Sequence, residues 1–422
     1  MKKVFAFFFC LCLLVITAMP IFAKEKVTIE LWHAMRGEKK EVVDKLTANF
    51  MKENPDIIVN TKAISTPDLR LYGNNYSCLY RQLIQGLAEG KQPDISQVYE
   101  NWTTQFVEIN AITPFSHFDN TPYAMTEADK KDFIPLFKNA CSYNGVMWTI
   151  PFNKSVFVLY YNKDILDKYG VKVPKTWKEL KEASIKIAQS DSSKYGIIYT
   201  PVVDAIGHLI YSNNGSFIKD NKPTFNDNIG VEALKYWTEL ANAVDGKAGK
   251  PTFNSYKEFL DGNAAFTIET SARIEDVKNK CKFHSGVATL PSGTSKAVQC
   301  AGTNLAIFSK DETKKLASWK LIKYLTNTEN NAELAMKTGY LPVRYSTYNS
   351  PIYKKYVEKF PGYKVGMEEL KYGVTQPRTS AWESIRGLIS DALFDAVSNV
   401  EEPEEALNRA ADISKDLLTG VK

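Results

Sequence analysis

Residues 27–32, Val27-Thr28-Ile29-Glu30-Leu31-Trp32, alternate apolar and polar side chains with the two-residue period of a strand. Behind them, Glu38 to Asn54 carries Val42, Val43, Leu46, Phe50 and Met51 at helical spacing, and Pro55 closes the helix. Ile57-Ile58-Val59 predicts a second strand, Leu79 to Glu89 an amphipathic helix, and Asp94 to Tyr99 a third strand. Such strand-helix-strand-helix-strand alternation argues for an α/β layer on a mainly parallel sheet.

Downstream the pattern continues. Asn144-Gly145 between apolar residues marks a tight hairpin, and Val156 to Tyr161 is a continuous apolar strand. Thr176-Trp177-Lys178-Glu179 is a capping box that starts a helix running to about Gln189. A further helix over Val231–Val244 aligns Val231, Leu234, Trp237, Leu240, Ala241 and Val244 on one stripe. The stretch Asp311–Lys337 is predicted helical. Pro403 opens a last helix through Leu418, with Ala406, Leu407, Ala410, Ile413 and Leu417 inward. Neither a repeat nor a low-complexity linker interrupts the chain, which fits two lobes between which the chain crosses more than once. Clefts between lobes are preferred places for small ligands.

The 422 residues, 44% hydrophobic and 24% charged, exceed one ordinary core and are too mixed for disorder. Residues 1–23 read as a secretory leader: Lys2-Lys3, the uncharged run Val4 to Met19, then a cleavage site after Ala23. Cys10 and Cys12 follow Phe9 and Leu11 rather than small residues, so no lipid anchor is expected. The net charge of +5 falls to about +3 once Lys2 and Lys3 are removed, too little to mark a nucleic-acid surface. Four cysteines remain, Cys78, Cys141, Cys281 and Cys300, and isolated buried thiols are their expected state. The mature protein is expected to be soluble outside the inner membrane.

Phosphate loops, dinucleotide fingerprints, zinc-protease motifs and nucleophile elbows are all missing from the sequence. His33, His117, His208 and His284 are scattered without metal-ligand spacing. No cofactor or metal is expected, and no enzymatic activity. A carboxylate pair for glycoside hydrolysis can lie far apart along a chain and has no positive support here. Aromatic and polar residues instead gather where strands should end: Trp32-His33, Tyr99-Glu100-Asn101-Trp102, Phe152-Asn153-Lys154-Ser155, Gly339-Tyr340, and Arg378 through Trp382. In α/β lobes ligands bind at the carboxyl ends of strands, and this set suits a polar solute.

Several motifs resemble a known family, the extracytoplasmic solute-binding proteins of bacterial ATP-driven importers, and within it the glycerol-3-phosphate and glycerophosphodiester binders. They are Trp32-His-Ala-Met-Arg-Gly-Glu38, Tyr76 with Gln97-Val-Tyr-Glu100, Pro151-Phe-Asn-Lys-Ser155 leading into Val158-Leu-Tyr-Tyr-Asn-Lys-Asp164, Pro174-Lys-Thr-Trp177, and Thr338-Gly-Tyr-Leu-Pro342. The resemblance implies a two-lobed, type II periplasmic-binding fold, α/β in each lobe, with a hinge between. Lobe I would comprise 24–138 plus 300–345, and lobe II 139–299 plus 346–422. It implies that Tyr76 and Glu100 hold glycerol hydroxyls, while Ser155, Ser271 (or its neighbour Thr270), the Gly302 amide, Tyr340 and Arg378 hold the phosphate. It also implies a monomer that delivers its solute to an inner-membrane ABC permease.

One departure matters. Where the glycerol-3-phosphate binders carry two Trp residues, this chain has Pro201 and Asp204. The wider pocket would admit a glycerophosphodiester such as glycerophosphocholine, with Asp204 facing the choline cation, or be turned toward a sugar. A sugar or oligosaccharide receptor is the alternative within the binding class, and a secreted hydrolase the alternative outside it. Trp32 and Trp148 are expected in the core; Trp102 and Trp382 suit either core or a stacking role.

Overall fold

The structure, a computed structural model, describes residues 25–65 and 75–420; the expected leader lies outside them. Strand β1 (Val27–His33) pairs in parallel with β2 (Ile57–Ala63) on one side and β3 (Ile95–Val98) on the other. Helices Glu38–Glu53 and Asn75–Glu89 make the connections, so the alternation read from residues 27–99 is the first half of the fold. The first helix buries Val42, Val43, Leu46 and Phe50, while Met51 is half-buried. At the hairpin of β4 (Ser142–Tyr143) and β5 (Val146–Met147), Asn144 and Gly145 both adopt positive φ, 50° and 78°, as a two-residue turn between twisted strands requires.

Next comes β6 (Ile150–Asn162), which is long enough to serve two sheets. Its first half pairs antiparallel with β13 (Val298–Ile307). Its second half pairs with β11 (Ala264–Thr270) and β12 (Ser285–Ala288). Beyond β11 lie β7 (Tyr195–Tyr199) and β10 (Gly249–Pro251), both parallel; β8 and β9 (Ile218–Lys219 and Lys222–Pro223) form a separate hairpin, and β14 (Gly373–Val374) pairs in parallel with the start of β13. The path β10-β7-β11-β6-β13-β3-β1-β2 is thus parallel at both ends and antiparallel where β6 and β13 cross the middle. A strand covered on both faces has no solvent side, so Val156 to Tyr160 lacks alternation and is nearly all buried. Along β6 the partner changes from β13 to β11 between Val156 and Phe157.

Several local expectations shift. The run Asp311–Lys337 is two helices, Glu312–Leu325 and Thr328–Thr338, because Asn327 accepts the Asn330 N–H at 2.8 Å and starts a new N-terminus. Thr176 caps the Glu179 N–H, but the Glu179 carboxylate takes the Lys175 N–H instead of closing the box on Thr176. The helix from Asn228 stops at Asn242, and Val244 lies beyond it at φ 55°. On the last helix, Pro403–Thr419, Ala406, Leu407 and Ala410 are buried as expected, whereas Ile413 and Leu417 are exposed and Ala411 and Ser414 take the inner positions. All four described cysteines are free thiols; Cys78, Cys141 and Cys300 are buried and Cys281 is half-buried.

Candidate ligand-binding cavity

Between the two halves lies a cavity of about 160 Å³. From the first half come Tyr76 on helix Asn75–Glu89, and Tyr99, Glu100 and Asn101 where β3 gives way to helix Glu100–Glu108. From the second come Thr270 at the end of β11, Asp204 on helix Val203–Ser212, Gln376, and Arg386 on helix Trp382–Val397. The crossing strands supply Ser155 and Phe157 from β6 and Cys300, Ala301 and Gly302 from β13, with Tyr340 closing the ring. Carboxyl ends of β3 and β11 converge here, as the α/β rule anticipates.

A polar floor is built on Asn153, whose Oδ1 accepts from Gln97 Nε2 at 2.9 Å and also from Thr303 Oγ1. Its Nδ2 is thereby turned to Tyr76 Oη at 3.3 Å, and Tyr76 Oη meets Tyr340 Oη at 3.5 Å. Burial holds the Tyr76 phenol well above its ordinary value, so it stays a hydroxyl. Lys39 places its ammonium 4.8 Å from the Tyr340 ring centroid and donates to the Ala272 carbonyl, adding positive potential at this end.

Across the cavity stand two carboxylates. Glu100 occupies the first helical position, where the dipole favours a negative charge. Its Oε1 accepts the Gln376 N–H at 2.7 Å, while Oε2 is buried with no hydrogen-bond partner and lies 3.9 Å from Lys154 Nζ. Burial pushes the Glu100 carboxyl above the usual range; Lys154, the Gln376 amide and Arg378 pull it back. Asp204 sits 3.6 Å from Arg386 Nη2 and accepts from Gln376 Nε2 at 3.4 Å. Burial raises its carboxyl too, against the pull of Arg386. Arg386 also approaches Glu383 at 3.7 Å and leaves a buried Nε without a partner.

Of the residues expected at a ligand, Tyr76, Glu100, Ser155, Asp204, Gly302 and Tyr340 all line this cavity. Ser271 does not: it is fully buried in the turn that follows β11, where its Oγ accepts the Val156 N–H at 3.4 Å, and Thr270 takes the lining position. Arg378 is not a lining residue either. Its Nη1 donates to the Ser142 carbonyl at 2.9 Å, beside the β4–β5 hairpin, although Glu100 still feels its charge. The guanidinium that lines the cavity belongs to Arg386. Asp204, expected to await a cation from the ligand, already has one in Arg386.

Gly302 adopts φ 89°, and a Cβ there would stand 1.9 Å from the Asn153 carbonyl oxygen, so β13 can approach β6 at this point only as glycine. Gln376 went unnoticed in the sequence, yet it ties Glu100, Asp204 and the indole of Trp382 together. No motif announces it; only its place just before Arg378 hints at a role. Trp102 and Trp382 are core residues, each 1% exposed, and Trp102 donates its N–H to Glu383.

A second, larger hollow of about 730 Å³ lies beside β1 and helix Asn75–Glu89, lined by Glu30, Trp32, Lys62, Arg81, Gln85, Lys91 and their neighbours. Among the described residues no group of three or more His, Cys, Asp and Glu side chains is placed to hold a metal, and no helix is long and apolar enough to cross a membrane.

A family model described as bacterial extracellular solute-binding protein matches residues 45–361, well over half of the chain. The chain belongs to that family. This solute-binding protein is 29% identical to the sn-glycerol-3-phosphate-binding periplasmic protein UgpB of Escherichia coli K12, over 94% of this chain and 93% of the relative. Among solved structures it is similar to UgpB from Mycobacterium tuberculosis in complex with glycerophosphocholine, with TM-score 0.84, 19% identity, and coverage of 93% of this chain and 98% of that one. It is also similar to the GacH receptor of Streptomyces glaucescens, solved unliganded and with acarbose, at TM-score 0.81, 22% identity, 94% of this chain and 100% of that one. These neighbours share the two-lobed fold, and the relatives are substrate-binding proteins rather than enzymes.

Proposed function

We propose that this solute-binding protein captures a glycerol phosphate ester, either glycerol-3-phosphate or a glycerophosphodiester such as glycerophosphocholine, and passes it as a monomer to an ABC permease. The observation that carries this reading is the Glu100 carboxylate, whose buried Oε2 has no hydrogen-bond donor in the protein and borders the cavity. Hydroxyl donors from a polyol would satisfy it with short, charge-assisted bonds. Tyr76 completes the hydroxyl end. Ser155, Thr270, the Gly302 amide and Tyr340 offer donors for the phosphate, with Arg386 and the more distant Arg378 supplying positive potential. The relatives' names support the same ligand class.

The lobes would close about β6 and β13, lobe I as 24–138 plus 300–345 and lobe II as 139–299 plus 346–422. Hinge closure would desolvate the ester and signal occupancy. A sugar receptor is less well served, because Trp102 and Trp382, the indoles that could stack on a sugar ring, are locked in the core. Titration calorimetry with glycerol-3-phosphate, glycerophosphocholine and maltose tests the reading. Stoichiometric binding of either ester with the ligand recovered unchanged is expected; binding of maltose alone, or turnover of an ester, overturns it.

A further inference from the structure

Lys154 is one of the least expected residues in the molecule. It sits in the middle of β6, only 1% exposed, whereas lysine is almost never fully buried unless its charge is answered. It does not line the cavity but lies behind its wall, donating to Asn304 Oδ1 at 3.3 Å. The thiols of Cys141 and Cys300 are within its electrostatic reach, yet burial pushes both up to about 12, so they are neutral near pH 7. The counter-charge is therefore the Glu100 carboxylate, the one carboxylate recorded in an ion pair with Lys154 among the described residues.

The geometry of that pair is unusual in a useful way. At 3.9 Å, Lys154 Nζ is too far from Oε2 for a hydrogen bond but close enough for strong Coulombic attraction in a buried setting. A carboxylate bonded directly to its counter-ion would have lone pairs occupied. Here Oε1 is taken by the Gln376 N–H, and Oε2 keeps its acceptor capacity.

We propose that Lys154 is a positioning residue for solute capture: from behind the wall its ammonium holds Glu100 ionised while leaving Oε2 free for the hydroxyl of a polyol ligand. The inference rests on the reading that Glu100 accepts ligand hydroxyls. The other groups whose charge reaches Glu100 are Arg378 and Gln376 from the segment before helix Trp382–Val397, Cys300 on β13, Cys141 after helix Pro135–Ala140, and Tyr211 on helix Val203–Ser212; Tyr76, Tyr99, Asp204 and Arg386 share its cavity. Arg378 is fastened to Ser142 and Arg386 is paired with Asp204.

Two measurements test it. In ligand-free protein, the Glu100 carboxyl followed by 13C NMR should titrate at higher pH in Lys154→Met than in the wild type, by about one pH unit or more. Equal midpoints overturn the inference whatever the ligand proves to be. By calorimetry with glycerophosphocholine, whose phosphodiester does not titrate in this range, wild-type affinity should fall as the pH is lowered from about 8 to about 5. Lys154→Met should bind about tenfold more weakly near neutrality, with the fall displaced to higher pH. A uniform loss at every pH would assign Lys154 to packing alone and overturn the proposal. Should Lys154→Met not fold, Glu100→Gln decides: its affinity is expected to lose the acid fall, and persistence of that fall overturns the inference. Failure of the wild type to bind any glycerol phosphate ester strikes the proposed function instead and leaves the NMR comparison to judge Lys154.

Discussion

The groove beside β1 and the cavity between the halves differ in the opposite sense to their sizes. The groove holds about 730 Å³ against about 160 Å³. Its charged residues Lys62, Arg81, Glu89 and Lys91 are exposed, and Glu89 and Lys91 pair with each other at 3.1 Å. Such groups are already solvated, so a ligand gains little by replacing water around them. Trp32 Nε1 is buried there without a partner, but it is a neutral donor, and the Lys62 ammonium stacks 4.3 Å from its ring. In the cavity the unpartnered atoms are a carboxylate oxygen of Glu100 and the Nε of a guanidinium, Arg386. A buried charged group short of partners is far more costly than a neutral one, and that cost is what a bound ligand relieves. Built polar demand, rather than volume, distinguishes a site.

The sharpest way to break this contrast is through the glycines. Gly302→Ala puts a Cβ 1.9 Å from the Asn153 oxygen at a positive φ, and should destabilise the protein by about 3 kcal/mol or more in chemical denaturation. Gly86, in the groove, meets its nearest backbone atom at 3.3 Å, so Gly86→Ala should stay within about 1 kcal/mol of the wild type. Equal effects would mean that the close approach of β13 to β6 is not enforced.

Next in size, Glu100→Gln should weaken binding of the preferred ester by about a hundredfold, since hydrogen bonds to charged groups contribute about 1.5–3 kcal/mol each. Calorimetry showing less than a threefold change would remove Glu100 from the site.

A third test compares the two histidines behind these regions. Burial lowers His33, next to the groove's Trp32, to about 4 and His208, on the helix that carries Asp204, to about 3. Both are neutral in the folded protein, whereas an unfolded histidine takes up a proton below about 6.5. Stability is therefore full above that pH and falls as pH drops below it, by about 2 kcal/mol for each histidine at pH 5. Denaturation of His208→Gln should show a flatter pH slope between about 7 and 5 than the wild type. An unchanged slope would mean that His208 takes up its proton in the fold as it does in the unfolded chain.

The smallest effect is reserved for the groove: Lys62→Ala and Lys91→Ala should each change ester affinity by less than about twofold, as solvated surface charges do. A tenfold loss at either would move the site.

Much of this molecule was legible in its sequence because the relevant signals are local. Alternation over Val27–Trp32, the stripe of Val42, Val43, Leu46 and Phe50, and Asn144-Gly145 each report a period or a turn that the backbone obeys wherever it is placed. The helix break at Asn327 is not legible in the sequence because capping competes with propensity inside a run that is helical on both sides. Ile413 and Leu417 are exposed against expectation because the stripe from Ala406 to Leu417 does not say which neighbour will cover its far end.

By itself the sequence determined the α/β class and the absence of catalytic motifs, and it singled out six residues that the fold brings to one cavity: Tyr76, Glu100, Ser155, Asp204, Gly302 and Tyr340. Tertiary structure alone decided which guanidinium faces inward, that Thr270 rather than Ser271 borders the cavity, and that a lysine in β6 stands behind the Glu100 carboxylate. The reason is physical: side-chain direction at the end of a strand depends on how the next turn leaves it, and a charge's partner is set by packing between elements more than fifty residues apart in the chain.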